Sequence, residues 1–159
     1  MSEIGLITLR KFDPADADAC LSLFRNTIHR VNIRDYSPGQ INAWAPVDVE
    51  VPNWASRFTG RIAYVACQHE AIIGFGDMTT AGHLDRLFVS AENQRQGIAR
   101  GLLERLMTDA IQQNCDRITT EASITAKPFF ERLGFTVLEQ QSVECRGVQL
   151  INYKMQRIL

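Results

Sequence analysis

The chain has 159 residues, of which 45% are hydrophobic and 22% charged, and its formal net charge at pH 7 is −1. These values are typical of one soluble domain with a sizeable core, and the near-zero charge argues against a nucleic-acid-binding module. The sequence has neither the roughly 20 apolar residues of a membrane-spanning helix nor the basic and apolar regions of a signal peptide. Its four cysteines lie far apart, which predicts free thiols in the cytoplasm rather than disulfides or a metal site.

The first part of the chain predicts one strand and three helices. Residues 4–10 form the strand. Asp13-Pro14 predicts a helix start, with the aspartate as cap and the proline in the first turn. Ser37-Pro38 predicts a second start of the same kind, and a third, short helix is expected over residues 52–58.

The rest of the chain predicts six strands and two helices. The strands are expected at 61–67, 72–79, 83–89, 117–122, 135–145 and 148–157, and the helices at about 97–113 and 125–133. This order indicates the α/β (α+β) class, with a mixed sheet of about seven strands and about four helices on its faces.

The junction SAENQRQGIARGLLERL, residues 90–106, joins a strand to the longest predicted helix. A helix start exposes N–H groups that lack intrahelical partners, and such groups bind anions. Gly97 has no side chain to keep a ligand away from this backbone, and Arg95 and Arg100 flank the turn. A plain strand-to-helix turn explains the same residues, and neither G-x-G-x-x-G nor G-x-x-x-x-G-K-[ST] is present.

Two motifs carry a family resemblance. The segment QRQGIA, residues 94–99, follows the strand LDRLFV and resembles the acetyl-coenzyme A loop of the GNAT acyltransferases, Q/R-x-x-G-x-G/A. The segment SITAKPFFERLGF, residues 123–135, resembles that family's second motif, N-x-x-A-x-x-F-Y-E-K-x-G-F. The resemblance covers nearly the whole chain, and ASITAKPFFER together with VECRG at 143–147 looks particularly like the bacterial YafP-type subgroup.

The resemblance implies one GNAT domain over residues 1–159, with a mostly antiparallel sheet that is splayed between strands 4 and 5. It implies acetyl-CoA as cosubstrate, an amine acceptor and no metal, nucleic acid or membrane partner, and it is compatible with a homodimer. Strand backbone would pair with the pantetheine arm, and N–H groups of the turn would hold the pyrophosphate. The implied cofactor-binding residues are Leu87, Phe88, Val89, Arg95, Gln96, Gly97, Ile98, Ala99, Arg100, Ser123 and Phe130.

Two positions depart from the family pattern. Ser123 stands in place of the usual asparagine and keeps a shorter capping or cofactor-binding group. Phe130 stands where the family usually has a tyrosine, often the acid that protonates the coenzyme A thiolate. Cys145 and Tyr153 are candidate replacement acids, although each is also explained as a structural side chain.

Acetyl transfer to an amine needs a base, because an alkyl ammonium has a pKa near 10. Asp85 and Glu121 are the candidates, and His83 could assist. Period-two alternation predicts that Asp85 faces the same side as Leu87 and Val89. The alternative for Asp85 is a salt bridge to Arg86 or another surface arginine, and for Glu121 a solvated strand end or a carboxylate near a helix.

The tetrahedral oxyanion is expected to meet a backbone N–H near Leu87 or Phe88. Direct attack in a ternary complex is preferred over an acyl-cysteine at Cys67 or Cys145, because neither cysteine has a recognisable histidine partner. Tyr36, Trp44 and Trp54 are candidate acceptor-binding residues, or else rings that anchor short helices on the sheet.

The sequence thus predicts an acetyl-CoA-dependent N-acetyltransferase that acts on a small-molecule or protein amine. The alternative is a coenzyme A-binding sensor or regulatory protein without catalysis, which Phe130 favours.

Overall fold

The structure is a computed structural model that describes residues 6–47 and 50–159. The predicted order of elements is confirmed. The strands are β1 (Thr8–Lys11), β2 (Ile62–Gln68), β3 (Ala71–Met78), β4 (His83–Val89), β5 (Arg117–Ser123), β6 (Thr136–Cys145) and β7 (Val148–Ile158). The α-helices are α1 (Ala17–Arg30), α2 (Pro38–Trp44), α3 (Ile98–Gln112) and α4 (Lys127–Arg132). Residues 4–5 of the first predicted strand lie outside the described residues.

The seven strands form one sheet in the order β1-β2-β3-β4-β5-β7-β6. Every neighbouring pair is antiparallel except β4 and β5. These two parallel strands are paired only through His83 with Thr119 and Leu84 with Thr120. The predicted splay between strands 4 and 5 is therefore confirmed, and it begins directly after Leu84.

Helices cover both faces of the sheet. The larger apolar cluster lies beneath α3 and contains Leu102, Leu103 and Leu106 of that helix. Side chains of α1 and α2 pack on the opposite face in two smaller clusters. Gly74 brings α3 close to β3, because a Cβ there would lie 3.1 Å from Ile98 Cγ2. The splay between β4 and β5 thus opens between two helical layers.

Both predicted helix caps are confirmed. Asp13 accepts a hydrogen bond from Ala15 N, and Ser37 accepts one from Gln40 N. Each belongs to a capping box, in which the third residue of the helix bonds back to the cap. The third predicted helix is shorter than expected, since only Ala55–Phe58 form a helical segment, of the 3₁₀ type.

The four cysteines carry free thiols. Within residues 6–47 and 50–159, none of the helices is long and apolar enough to cross a bilayer.

Candidate active site

A cleft of about 840 Å³ opens where β4 and β5 separate. It is bounded by β4, the turn and first residues of α3, the end of β5 and the start of α4. All but one of the predicted cofactor-binding residues line it, the exception being Gln96. The cleft also contains both carboxylates proposed as bases, Asp85 and Glu121.

The first backbone N–H groups of α3 have no capping partner and face this cleft. Gly97 occupies the N-cap with φ 79° and ψ 9°, a left-handed conformation that glycine adopts without strain. No side chain caps this helix, and its first turn contains no acidic residue. A Cβ added at Gly97 would meet no atom within 4 Å, so its backbone faces open space. The N–H groups of Ile98, Ala99 and Arg100 are therefore available to an anion.

Gln94 fixes the turn that precedes Gly97. Its side-chain amide donates to Val89 O at 2.7 Å and to Ser90 O at 3.3 Å. Thr27 Oγ1, from α1, donates to Val89 O at 3.1 Å. Neither the bracing role of Gln94 nor the contribution of Thr27 was predicted, because both bonds depend on how the turn and α1 meet the end of β4.

The free edge of β4 offers backbone groups to the cleft. Ser90 N donates to Ile73 O of the neighbouring strand at 2.8 Å. Because such bonds alternate along an antiparallel pair, Phe88 directs its N–H and C=O at β3, while Leu87 and Val89 direct theirs at the gap. Two side chains already occupy Val89 O. The N–H and C=O of Leu87 and the N–H of Val89 remain for a ligand.

Asp85 sits at a break in the register of β4. Arg86 pairs with Asp77 and Leu84 with Met78, so Asp85 is an extra residue with no partner in β3. The predicted alternation therefore fails here. Asp85 forms an ion pair with Arg61, which also lies 3.9 Å from Asp77.

This contact places Asp85 on the α1 side of the sheet. Its neighbour Asp77 binds Arg86, whose guanidinium stacks on two rings of the cluster beneath α1. Leu87 and Val89 pack in the cluster beneath α3. The prediction that Asp85 shares a face with Leu87 and Val89 is wrong, and the extra residue is the reason.

Buried charges support this region of β4. Asp77 is fully buried and accepts from Arg86 Nε at 2.9 Å and from Arg86 Nη2 at 2.6 Å. The Arg86 guanidinium lies 4.9 Å from the Trp54 ring centroid and 4.3 Å from that of Phe58. Trp54 is itself buried and donates from Nε1 to Ala17 O at 2.8 Å. Trp54 is not part of the cleft lining in the described chain. It packs behind the cleft, against the Arg86 guanidinium.

Glu121 has a different environment from Asp85. It is an exposed residue of β5, on the face opposite the buried Ile118 and Ala122. Its partner across the strand pair is Lys154, whose ammonium lies 3.6 Å from Glu139. Within the described chain no ion pair or hydrogen bond engages the Glu121 carboxylate. Glu121 is thus an unneutralised anion inside the cleft.

Ser123 is engaged by the protein itself. Its Oγ accepts from Ala126 N at 3.0 Å and from Asn32 Nδ2 at 3.4 Å. The first bond stabilises the turn before α4, but Ser123 does not cap that helix, whose N-cap is Ala126 without a side-chain cap. Asn32 is buried and also lines the cleft, and only a contact across 91 residues of sequence places it there.

The predicted acceptor-binding aromatics divide between the cleft and the core. Trp44 lines the cleft and packs edge-on against Tyr36, with ring centroids 5.6 Å apart. Tyr36 is buried and does not line the cleft in the described chain. Its hydroxyl donates to Ile151 O at 2.6 Å and accepts from Ile124 N at 2.9 Å. Burial raises the pKa of Tyr36 above its ordinary value. Tyr36 therefore acts as a brace between β7 and the residue that follows β5.

The candidate acids also lie apart from the cleft. Cys145 Sγ donates to Ala43 O at 3.3 Å, and the Tyr153 ring carries the Lys127 ammonium 5.0 Å from its centroid. Neither belongs to the cleft lining of the described residues. Phe130 does line the cleft, where it packs edge-on against Phe129 and Phe135. The ring at this position supplies an apolar wall.

Comparisons with known proteins agree with this architecture. Residues 32–157 match a family model described as acetyltransferase (GNAT) domain. The chain is 36% identical over 150 residues to YafP of Escherichia coli strain K12, named an uncharacterized N-acetyltransferase, and the match covers 94% of each chain.

Solved structures show the same fold. A GCN5-related N-acetyltransferase from Rhodopseudomonas palustris superposes with a TM-score of 0.91 at 26% identity, over 96% of this chain and 95% of the other. YncA of Salmonella typhimurium, solved with its cofactor acetyl-CoA, superposes with a TM-score of 0.71 at 20% identity, over 96% and 94%. The chain therefore belongs to the GNAT acetyltransferase family, in its YafP-like subgroup, as its two motifs predicted.

Proposed function

We propose that this protein transfers the acetyl group of acetyl-CoA to an amine, a small molecule or a protein amine, by direct attack in a ternary complex. The observation that carries the proposal is the uncapped start of α3, which faces the gap between β4 and β5. With its diphosphate bound at Gly97, the rest of the cosubstrate, including the thioester, has room to extend along β4. The acetyl-CoA in the Salmonella YncA structure supports the same cosubstrate here.

Three sets of groups hold the cosubstrate in this proposal. The N–H groups at the start of α3 bind the pyrophosphate. Arg95 adds positive charge there, whereas Arg100 is already bonded to Glu104 at 3.0 Å. The C=O of Leu87 and the N–H of Val89 pair with the amides of the pantetheine arm, as an added strand would. Phe130 packs against the arm.

The acceptor approaches from the α1 side. Glu121, which has no partner of its own in the described chain, attracts the ammonium form of the amine, and Trp44 contacts its apolar part. Asp85 takes one proton from the nitrogen, so that its lone pair becomes free to attack. Asp85 suits this step because it lies where β4 leaves β5, at the closed end of the gap.

Attack forms the C–N bond and places negative charge on the carbonyl oxygen. The Leu87 N–H is the donor that best fits that oxygen, because it points into the gap and is free. Collapse of the intermediate breaks the C–S bond. The second proton that the nitrogen loses passes to the departing thiolate. A thiolate is a stable leaving group, so no protein acid is needed, which agrees with an apolar ring at Phe130.

Calorimetric titration with coenzyme A, followed by a panel of amines with acetyl-CoA and detection of free thiol, tests the proposal. We expect Glu121→Gln to raise KM for the amine and Asp85→Asn to lower kcat about 100-fold. Matched controls are Glu144→Gln, at an exposed residue of β6 outside the described cleft lining, and Asp116→Asn, which removes a carboxylate that pairs with Arg117 on the surface. Coenzyme A binding without acetylation of any amine would refute transfer and favour the non-catalytic alternative.

A further inference from the structure

A continuous set of polar contacts leads from the cleft to the surface. Asp85 lines the cleft, and its Oδ1 lies 3.4 Å from His83 Nε2. His83 Nδ1 lies 2.8 Å from Thr119 Oγ1, across the last pair of residues that joins β4 to β5. The His83 side chain is 36% exposed but does not belong to the cleft lining of the described chain. The imidazole thus contacts a cleft residue on one side and solvent on another.

The charged side chains around the His83 imidazole nearly cancel one another while the ring is neutral. Arg61 pairs with Asp85, and Arg86 pairs with the buried Asp77 of β3. From β5, Arg117 is paired with Asp116, and Glu121 lies two residues beyond Thr119 on the same face. From β7, the neutral Gln156 stands opposite Thr119, and Lys154 is paired with Glu139. The surroundings therefore leave room for one added positive charge on the imidazole.

The proposed reaction needs an exit for a proton. An ammonium acceptor loses two protons in each turnover; one ends on the coenzyme A thiol, and the other must leave a cleft whose water both substrates displace. Asp85 lies inside that volume and cannot exchange freely with bulk solvent while the cleft is full. His83 lies outside it, and histidine is the side chain whose ordinary pKa is closest to neutrality.

We infer that His83 relays the acceptor's proton from Asp85 to solvent. This inference rests on the proposed function. In the resting state the neutral ring bears its proton on Nδ1 and donates it to Thr119 Oγ1, which leaves the Nε2 lone pair facing Asp85. The amine nitrogen gives a proton to the Asp85 carboxylate, the carboxyl passes it to Nε2, and the imidazolium then releases this Nε2 proton to water and keeps the one on Nδ1. Asp85 and His83 then regain their starting states.

A pair of matched substitutions tests the relay. His83→Asn removes the titrating ring, and His69→Asn makes the same change at an exposed turn residue whose φ of 51° asparagine tolerates. With an amine that the wild type acetylates, we expect His83→Asn to lower kcat about 100-fold and to change the dependence of kcat on pH. Coenzyme A affinity should not change, and His69→Asn should match the wild type. Wild-type kcat and pH profile in His83→Asn would overturn the inference.

A second measurement does not depend on finding an acceptor. Nitrogen-15 NMR of the ring at neutral pH should show the Nδ1–H tautomer at His83, and Thr119→Val should reduce its share. A ring protonated on Nε2 in the wild type would overturn the relay. If no amine were acetylated, the proposed function would fail, and the tautomer would still decide whether Nε2 is open to Asp85.

Discussion

Gly97 and Gly147 provide a matched pair that separates ligand binding from backbone strain. Both have φ 79°, and a Cβ added at either position would meet no atom within 4 Å. Alanine in the left-handed conformation costs about 1–2 kcal/mol. For a chain of this size each kcal/mol lowers Tm by about 2–4 °C. Gly97→Ala and Gly147→Ala should therefore lower Tm by similar amounts, about 2–8 °C.

Only Gly97→Ala should weaken coenzyme A binding. Its methyl group would project beside the uncapped N–H groups of α3, where the diphosphate is proposed to bind, whereas Gly147 lies in the distant turn between β6 and β7. Loss of one hydrogen bond to a charged group costs about 1.5–3 kcal/mol, which raises Kd about 10- to 100-fold.

Calorimetric titration with coenzyme A and thermal unfolding of both variants give the two quantities. Equal Kd values for Gly97→Ala and Gly147→Ala, at equal Tm, would show that the start of α3 does not hold the diphosphate. That result would remove the main support for the proposed function.

Three further predictions concern stability and thiol chemistry. The Arg10 guanidinium holds the pKa of Asp16 below its usual range. Asp16→Asn should therefore lower the free energy of unfolding by about 1 kcal/mol at neutral pH. Thermal melts should show this full loss above about pH 4 and a smaller loss at lower pH, where the paired carboxylate becomes protonated. Tyr36→Phe should lower Tm by about 4–8 °C, since two main-chain groups lose their partner at about 1 kcal/mol each, and unchanged coenzyme A affinity would confirm that this ring is a brace. Burial raises the pKa of Cys20 to about 12, so mass spectrometry after iodoacetamide treatment of the folded protein at about pH 8 should find Cys20 unmodified while the half-buried Cys115 reacts.

The sequence by itself determined the elements and the cofactor loop, because the signals involved are local. Capping at Asp13 and Ser37 depends on bonds to residues two or three positions away. The need for glycine at position 97 follows from the positive φ there and from the helix that begins directly after it. The apolar period of α3 and the alternation in β5 also lie within single elements. Each of these could be predicted without knowing what lay opposite in the fold.

Only the tertiary structure decided which site residues are paired and which lie in the cleft or in the core. The extra residue in β4 turned Asp85 towards Arg61 and His83, and no local pattern marks that break. Glu121 remained unpaired because its cross-strand neighbour is held by Glu139. Such differences arise from contacts between residues far apart in sequence, whose geometry depends on strand register and helix packing. For the same reason, the fold separated Trp44 in the cleft from Tyr36 and Trp54 in the core, although all three rings lie close together in the chain.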